Sequence, residues 1–295
     1  MKRSIFEGSA AAVVTPMDEY GNLDLDAMGR LLDWLLEEKT DAIVVNGTTG
    51  ESATLDDNEK MEVIGFVIRH VNGRVPVIAG TGSNCTEHAV KLSREAEKLG
   101  ADALLQVTPY YNKASQEGLV RHFTQVADHV DIPVLLYNVP KFTHVNIEAD
   151  AVQKLASHPN ILGMKDSSGN VLQLAAYKRV TPDSFNVMVG TAGAWYPALT
   201  LGIKAGVHAL ANCCPDECVK IQELFDGGDW EGARDLYQRM FPVNGAVTGT
   251  YGIAGLKYGC DLMGYKGGHV RRPLQSLTDE KRTALRNIFE SAGVL

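Results

Sequence analysis

Short, nearly continuous apolar runs alternate with amphipathic stretches along most of the chain. The runs are AAVVTP (11–16), DAIVVNG (41–47), VPVIAGT (75–81), ADALLQVTP (101–109), PVLLYNVP (133–140), NILGMKDS (160–167), FNVMVGTA (185–192) and GVHALAN (206–212). Runs that lack an inside–outside alternation predict parallel strands buried on both faces. Between them the spacing is helical. Met28, Leu31, Leu32, Leu35 and Leu36 form one apolar stripe, and similar stripes fall at 56–70, 84–99, 115–130, 147–157, 170–180, 194–204 and 216–226. Asp24 and Asp56 stand where helix N-caps belong, and Gly100 stands where a helix ends in a left-handed residue. Eight strand–helix units of about 28 residues each are close to the minimal βαβ size. They predict an α/β protein with a parallel sheet closed into a (β/α)8 TIM barrel. A doubly wound open sheet is the alternative, though eight strands would be many for it.

The rhythm stops after residue 228. Residues 229–247, 250–264 and 278–293 read as helices around the Gly/Arg-rich loop GYKGGHVRRPL (264–274). No Pro/Gly/Ser-biased linker separates them from what precedes. The expected division is a catalytic barrel over 1–228 and a C-terminal helical extension over 229–295 packed on it. Arg271 and Arg272 are expected in a solvated loop or an interface.

Composition narrows the partners. The chain has 295 residues, with 28 Lys+Arg against 36 Asp+Glu and a net charge of −8. This balance disfavours nucleic acid or an anionic membrane as the main partner. No run approaches the roughly 18 apolar residues of a membrane span. The start of the chain lacks a signal-peptide core. The five cysteines, an odd count, read as reduced thiols in the cytoplasm. Cys213, Cys214 and Cys218 find no second Cys/His pair at zinc spacing, so no metal is expected.

In a barrel the chemistry lies at the C-terminal strand ends. There the sequence places Gly47-Thr48-Thr49-Gly50-Glu51, Thr108-Pro109-Tyr110-Tyr111-Asn112, Tyr137-Asn138-Val139-Pro140 and Gly163-Met164-Lys165-Asp166. Alternation along the sixth strand puts Ile161, Gly163 and Lys165 on one face. If that face is inward, burial leaves part of the Lys165 amine neutral and able to attack a ketone. The same lysine can instead snorkel to water. Tyr137 shares a face with Leu135 and would aim its phenol at the same rim, as a proton shuttle or as a core aromatic with a satisfied hydroxyl. Thr48 and Thr49 either cap the turn before Gly50 or offer groups to a ligand, and backbone N–H groups of the GTTG turn suit a carboxylate. Glu51 and Asp166, just beyond strand ends, are expected to orient backbone or solvent. Gly190-Thr-Ala-Gly193 falls where some barrels bind phosphate.

GTTGESATL (47–55), PVIAGTGSN (76–84), VTPYYNKASQEGL (107–119), LYNVP (136–140) and GMKDSSGN (163–170) occur in this order. With the closing helices they resemble the dihydrodipicolinate synthase / N-acetylneuraminate lyase superfamily of pyruvate-dependent class I aldolases over nearly the whole chain. The resemblance implies a lyase, with Lys165 binding pyruvate as an imine and Tyr137 shuttling protons. Thr48 would bridge Tyr137 to Tyr111, which would reach into a neighbouring subunit's site. Thr49 would hold the pyruvate carboxylate through its N–H beside Gly47. It further implies an aldehyde as second substrate, a homotetramer built as a dimer of dimers, and no cofactor beyond the lysine–pyruvate imine itself.

Two branches of the superfamily compete. SATL and SQEGL resemble the synthase branch, which condenses pyruvate with aspartate semialdehyde. That branch follows YNVP with a small residue, an arginine and a threonine, whereas this chain has Lys141, Phe142 and Thr143. A phenyl ring cannot replace bidentate recognition of a carboxylate. The tail GIAGLKYGCDLMGYKGGHVRRPL is closer to the 4-hydroxy-2-oxoglutarate aldolase branch. Asp57 and Lys60 stand where the lysine-feedback pocket has a histidine pair, while Ser52, Ala53, Asn84 and Tyr110 match it.

Overall fold

The computed structural model describes residues 4–295. Eight parallel strands close into a barrel in chain order: β1 Gly8–Ala12, β2 Ala42–Val45, β3 Val77–Gly80, β4 Ala103–Val107, β5 Val134–Asn138, β6 Ile161–Asp166, β7 Asn186–Val189 and β8 Ala205–His208. β8 pairs back onto β1, with Gly8 opposite Ala205, so the open sheet is set aside. Helices α1 Leu25–Glu37, α2 Asp57–Val71, α3 Thr86–Leu99, α4 Gln116–Ala127, α5 Pro140–Thr143, α6 Ala149–Ala156, α7 Val171–Val180, α8 Trp195–Thr200 and α9 Pro215–Asp226 follow the strands. The extension supplies α10 Trp230–Gly245, α11 Gly252–Leu262 and α12 Asp279–Ser291, with one π-helical turn over 246–250 between α10 and α11. No helix among the described residues is long and apolar enough to cross a membrane.

The signals read from the sequence act locally. The Asp24 carboxylate accepts the Ala27 N–H at 2.9 Å and starts α1. Asp56 and Glu59 form a reciprocal capping box at α2. Gly100 ends α3 at φ 96. Alternate residues of each strand divide between two cores. Ala10, Val44, Leu105, Leu135, Met188 and Val207 fill the barrel interior. Ala11, Val45, Leu104 and Leu136 pack outward against the helices with the stripe of α1. Each leucine so withdrawn from water is worth about 1.5–3 kcal/mol.

Three expectations change. β1 lies at 8–12, ahead of the AAVVTP run. Val14 instead gives its N–H to the Asn212 carboxamide, and the Thr15 hydroxyl donates to Gly50 O, so 13–16 is a buried loop. In β6 a register shift makes Val134 face Ile161 while Leu135 faces Gly163. The extra residue turns Ile161 into the outer core, and only Gly163 and Lys165 keep the inward face. Finally, Arg271 is no solvated charge: its guanidinium grips both oxygens of Glu59 at 2.6 and 2.7 Å.

Candidate active site

Strand pairing sets the core of the site. Tyr137 and Lys165 are register partners on β5 and β6, both 5% exposed. Lys165 Nζ lies 4.5 Å from the centroid of the Tyr137 ring. No carboxylate pairs with this amine among the described residues. Burial drives its pKa down from the ordinary lysine value, with Tyr137 opposing the shift. Gly190, at the end of β7, makes the packing possible: a Cβ there would stand 3.0 Å from Lys165 Cε and would collide with the Ser167 hydroxyl.

Behind the lysine, the next residue points to the opposite face. Asp166 is fully buried and accepts from Asn138 Nδ2 at 2.7 Å, Gln173 Nε2 at 3.0 Å and Ser168 Oγ at 2.5 Å. Burial raises its pKa, and these donors resist the rise. Asn138 also accepts the Ile147 N–H, which ties β5 and β6 to the segment before α6. The end of β6 is therefore held from behind.

Opposite the lysine stands the turn after β2. Thr48 Oγ1 lies 3.3 Å from the Tyr137 hydroxyl, and the Thr49 hydroxyl donates to Ala12 O at 2.8 Å. Gly50 N donates to Gly47 O and Glu51 N to Thr48 O. The N–H groups of Thr48 and Thr49 have no protein acceptor among the described residues. Asn46 and Glu51 bracket the turn in left-handed backbone, at φ 57 and φ 56, which strains a residue other than glycine. Side chains from elsewhere hold both. Asn46 Nδ2 donates to Gly80 O, while Glu51 takes the Lys257 ammonium at 2.5 Å and the Arg271 N–H at 2.8 Å. Lys257, on α11, also donates to His269 O.

Lys165, Tyr137, Thr48 and Thr49 line one cavity of about 500 Å³. Ser167, Ser168 and Thr191 add hydroxyls; Asn244, Val247, Thr248 and Ile253 close it from the extension; Lys141 and Phe142 also line it. Of the expected residues, Gly47 lines a neighbouring cavity of about 200 Å³, with Thr48 and Tyr137 as the shared wall and Ser52, Lys60 and Tyr110 beyond. Tyr111 joins neither. It is 90% exposed in left-handed backbone at φ 70, and within one chain Thr48 meets only Tyr137. Asn244 and Lys257 went unnoticed in the sequence. An Asn in an amphipathic helix and a Lys among apolar residues carry no signal of their own.

A closed barrel with an unpaired lysine at the strand ends defines a class: enzymes that hold a carbonyl substrate covalently on an amine. The family model described as "Dihydrodipicolinate synthetase family" matches residues 5–292, and the chain belongs to that family. It is 42% identical over 291 residues to a 4-hydroxy-tetrahydrodipicolinate synthase of Caldicellulosiruptor bescii, covering 99% of this chain and 98% of the relative. Among solved structures, dihydrodipicolinate synthase from Bacillus anthracis superimposes with a TM-score of 0.95 at 38% identity, covering 97% of this chain and 98% of that one. The chloride-inhibited dihydrodipicolinate synthase of Acinetobacter baumannii, complexed with pyruvate, gives 0.94 at 36%, covering 98% and 99%.

Proposed function

We propose that this protein is a 4-hydroxy-tetrahydrodipicolinate synthase, a lyase that joins pyruvate to aspartate semialdehyde through an imine on Lys165. One observation carries the reading: Lys165 Nζ is buried, unpaired and 4.5 Å from the Tyr137 ring at the end of a barrel strand. The neutral amine adds to the pyruvate ketone, and loss of water leaves the protonated imine. That cation is an electron sink for the methyl group, so a methyl proton leaves and an enamine forms. The enamine carbon then attacks the aldehyde, and the acceptor's own amino group displaces the lysine from the new imine, which closes the ring and restores the Lys165 amine. The lysine supplies the sink, so the chemistry needs no metal or organic cofactor.

Tyr137, joined to Thr48, moves protons to and from the carbinolamine. The free N–H groups of Thr48 and Thr49, beside Gly47, receive the pyruvate carboxylate. Tyr111, exposed in the single chain, completes a hydroxyl relay from a neighbouring subunit in a homotetramer arranged as a dimer of dimers. Residues 1–228 carry the reacting groups, and 229–295 supply one wall of the cavity. The unpaired cysteines fit a cytoplasmic enzyme.

Borohydride added with pyruvate is expected to fix a pyruvyl adduct on the peptide bearing Lys165, read by mass spectrometry. Fully active protein without that adduct would remove the mechanism. Phe142, in the cavity wall, favours a second reading, 4-hydroxy-2-oxoglutarate aldolase. Turnover of pyruvate with aspartate semialdehyde, compared with cleavage of 4-hydroxy-2-oxoglutarate, decides between them.

A further inference from the structure

The seam that closes the barrel runs up to the turn carrying Thr49. β1 and β8 meet there, and their pairing stops at Ala11 opposite His208. Beyond His208 the chain leaves the sheet for a single 3-10 turn, Leu210–Asn212. Ala12 O, one residue further along β1, takes side-chain donors. Asn212 Nδ2 donates to it at 2.7 Å and the Thr49 hydroxyl at 2.8 Å. Two donors occupy both lone pairs of that carbonyl. Asn212 is fully buried, so each of its polar groups must find a partner inside the protein.

They do so across the seam. Asn212 Nδ2 also donates to Ala209 O at 2.9 Å, and its Oδ1 accepts the Val14 N–H at 2.9 Å. From behind, the Cys260 thiol on α11 donates to Asn212 O at 3.3 Å, so the extension braces the residue that clasps the barrel. Ala12, Thr49 and Ala209 all line the cavity of Lys165, whereas Asn212 does not. Its influence on that cavity passes through the backbone it holds. The bonds to Val14 and Ala209 already clasp the seam. The remaining one falls on the atom that also tethers Thr49, whose own N–H has no protein acceptor among the described residues.

We propose that Asn212 is a positioning residue for pyruvate: it fixes Ala12 O from the seam side, and so sets where Thr49 is anchored and where the Thr49 N–H meets the substrate carboxylate. The inference rests on the imine and carboxylate readings above and adds the residue that controls the carboxylate contact. A shift of about 1 Å made away from the reacting atoms can cost on the order of 10²-fold in rate. Asn212 thus governs the preference for a ketone that bears a carboxylate over one that does not.

The test compares pyruvate with acetone, which has the ketone but no carboxylate, on the full-length protein. The readout is the second-order rate at which borohydride traps each ketone on Lys165, with urea unfolding as a separate measure of the fold. Asn212→Asp keeps the shape and sets an oxygen against the two carbonyls that accepted from Nδ2. The pyruvate rate is expected to fall roughly tenfold or more, the scale of a lost hydrogen bond to a charged group. The acetone rate is expected to stay within twofold of wild type. Thr49→Val, which removes the tether from the other side, should lower the same preference. The two losses should not multiply in the double variant, since both act through one carbonyl. Equal losses with both ketones would overturn the proposal, because they mark a general disturbance of the barrel. So would a pyruvate rate within twofold of wild type in folded Asn212→Asp, losses that multiply, or a Thr49→Val protein that keeps the wild-type preference. Should Asn212→Asp fail to fold, the smaller, uncharged Asn212→Ser is read against the same outcomes. Wild-type protein that traps no pyruvate would sink the imine reading, and wild type that traps both ketones alike would sink the carboxylate reading; the inference falls with either.

Discussion

Two lysines are taken out of water in this molecule, and their surroundings give them opposite uses. Lys165 at the end of β6 and Lys257 on α11 are 5% and 1% exposed. Burial lowers the pKa of both. For Lys257, the Glu51 carboxylate and its hydrogen bond work against that shift, and the His269 carbonyl accepts a further hydrogen bond from the ammonium. For Lys165, only Tyr137 opposes the shift, a neighbour that does not form an ion pair with it. Paired burial holds an ammonium and makes a clamp. Unpaired burial releases a proton and makes a nucleophile. The two are also linked through Glu51, which braces the turn carrying Thr48 and Thr49 opposite Lys165.

Substituting each lysine with methionine should separate the roles. Lys165→Met removes the imine, and turnover should fall on the order of 10⁴-fold or more, as when a covalent nucleophile is deleted. Stability should hold or rise, because an unpaired buried amine is replaced by an apolar chain of similar length. Lys257→Met leaves the Glu51 carboxylate buried without its partner, at a cost of about 3–5 kcal/mol. Urea unfolding of the two variants reads the contrast. If Lys165→Met proves the less stable, the comparison breaks. The double variant Lys257→Met/Glu51→Gln should recover most of the lost stability, since no lone charge remains.

Tyr137→Phe comes next. It keeps the ring beside the amine but removes the hydroxyl that meets Thr48, so kcat should drop about 10²–10³-fold. Adduct trapping should slow while unfolding stays near wild type. A kcat within a few fold of wild type would take the proton shuttle away from this residue.

Much of this was legible in the residues themselves, and the exceptions have physical causes. Buried parallel strands write continuous apolar runs, so all eight could be found, and caps such as Asp56 and Gly100 act through neighbours in sequence. The β1 run misled because Val13 and Val14 are buried in a loop, and apolar content records burial, not pairing. The register shift at 161–163 depends on the partner strand and leaves no mark in β6 alone. Lys165 stood out because a strand end gave it an address. Lys257 and Asn244 did not, since their meaning comes from Glu51 and from a cavity wall assembled far along the chain. Tyr111 was singled out by its motif, but a single chain does not deliver it to the cavity.

The gentlest probe of the comparison is pH. An amine whose folded pKa is depressed binds its proton less tightly folded than unfolded. Between that depressed value and the ordinary 10.5, the unfolded chain therefore carries more protons, and stability rises with pH. Put the other way, Lys165 adds a destabilisation that grows as pH falls from 10.5 and levels off below its folded pKa. Removing it in Lys165→Met should flatten the urea-unfolding free energy across that window. Activity follows the same proton: the rate of borohydride-trapped imine formation should climb with pH along one ionisation whose midpoint lies below 10.5. Lys257→Met should leave that midpoint in place even as it lowers stability, because its ammonium is held by Glu51 and not by the cavity. A midpoint that moved with Lys257 would mean the two amines titrate as one system, and the division between clamp and nucleophile would fail.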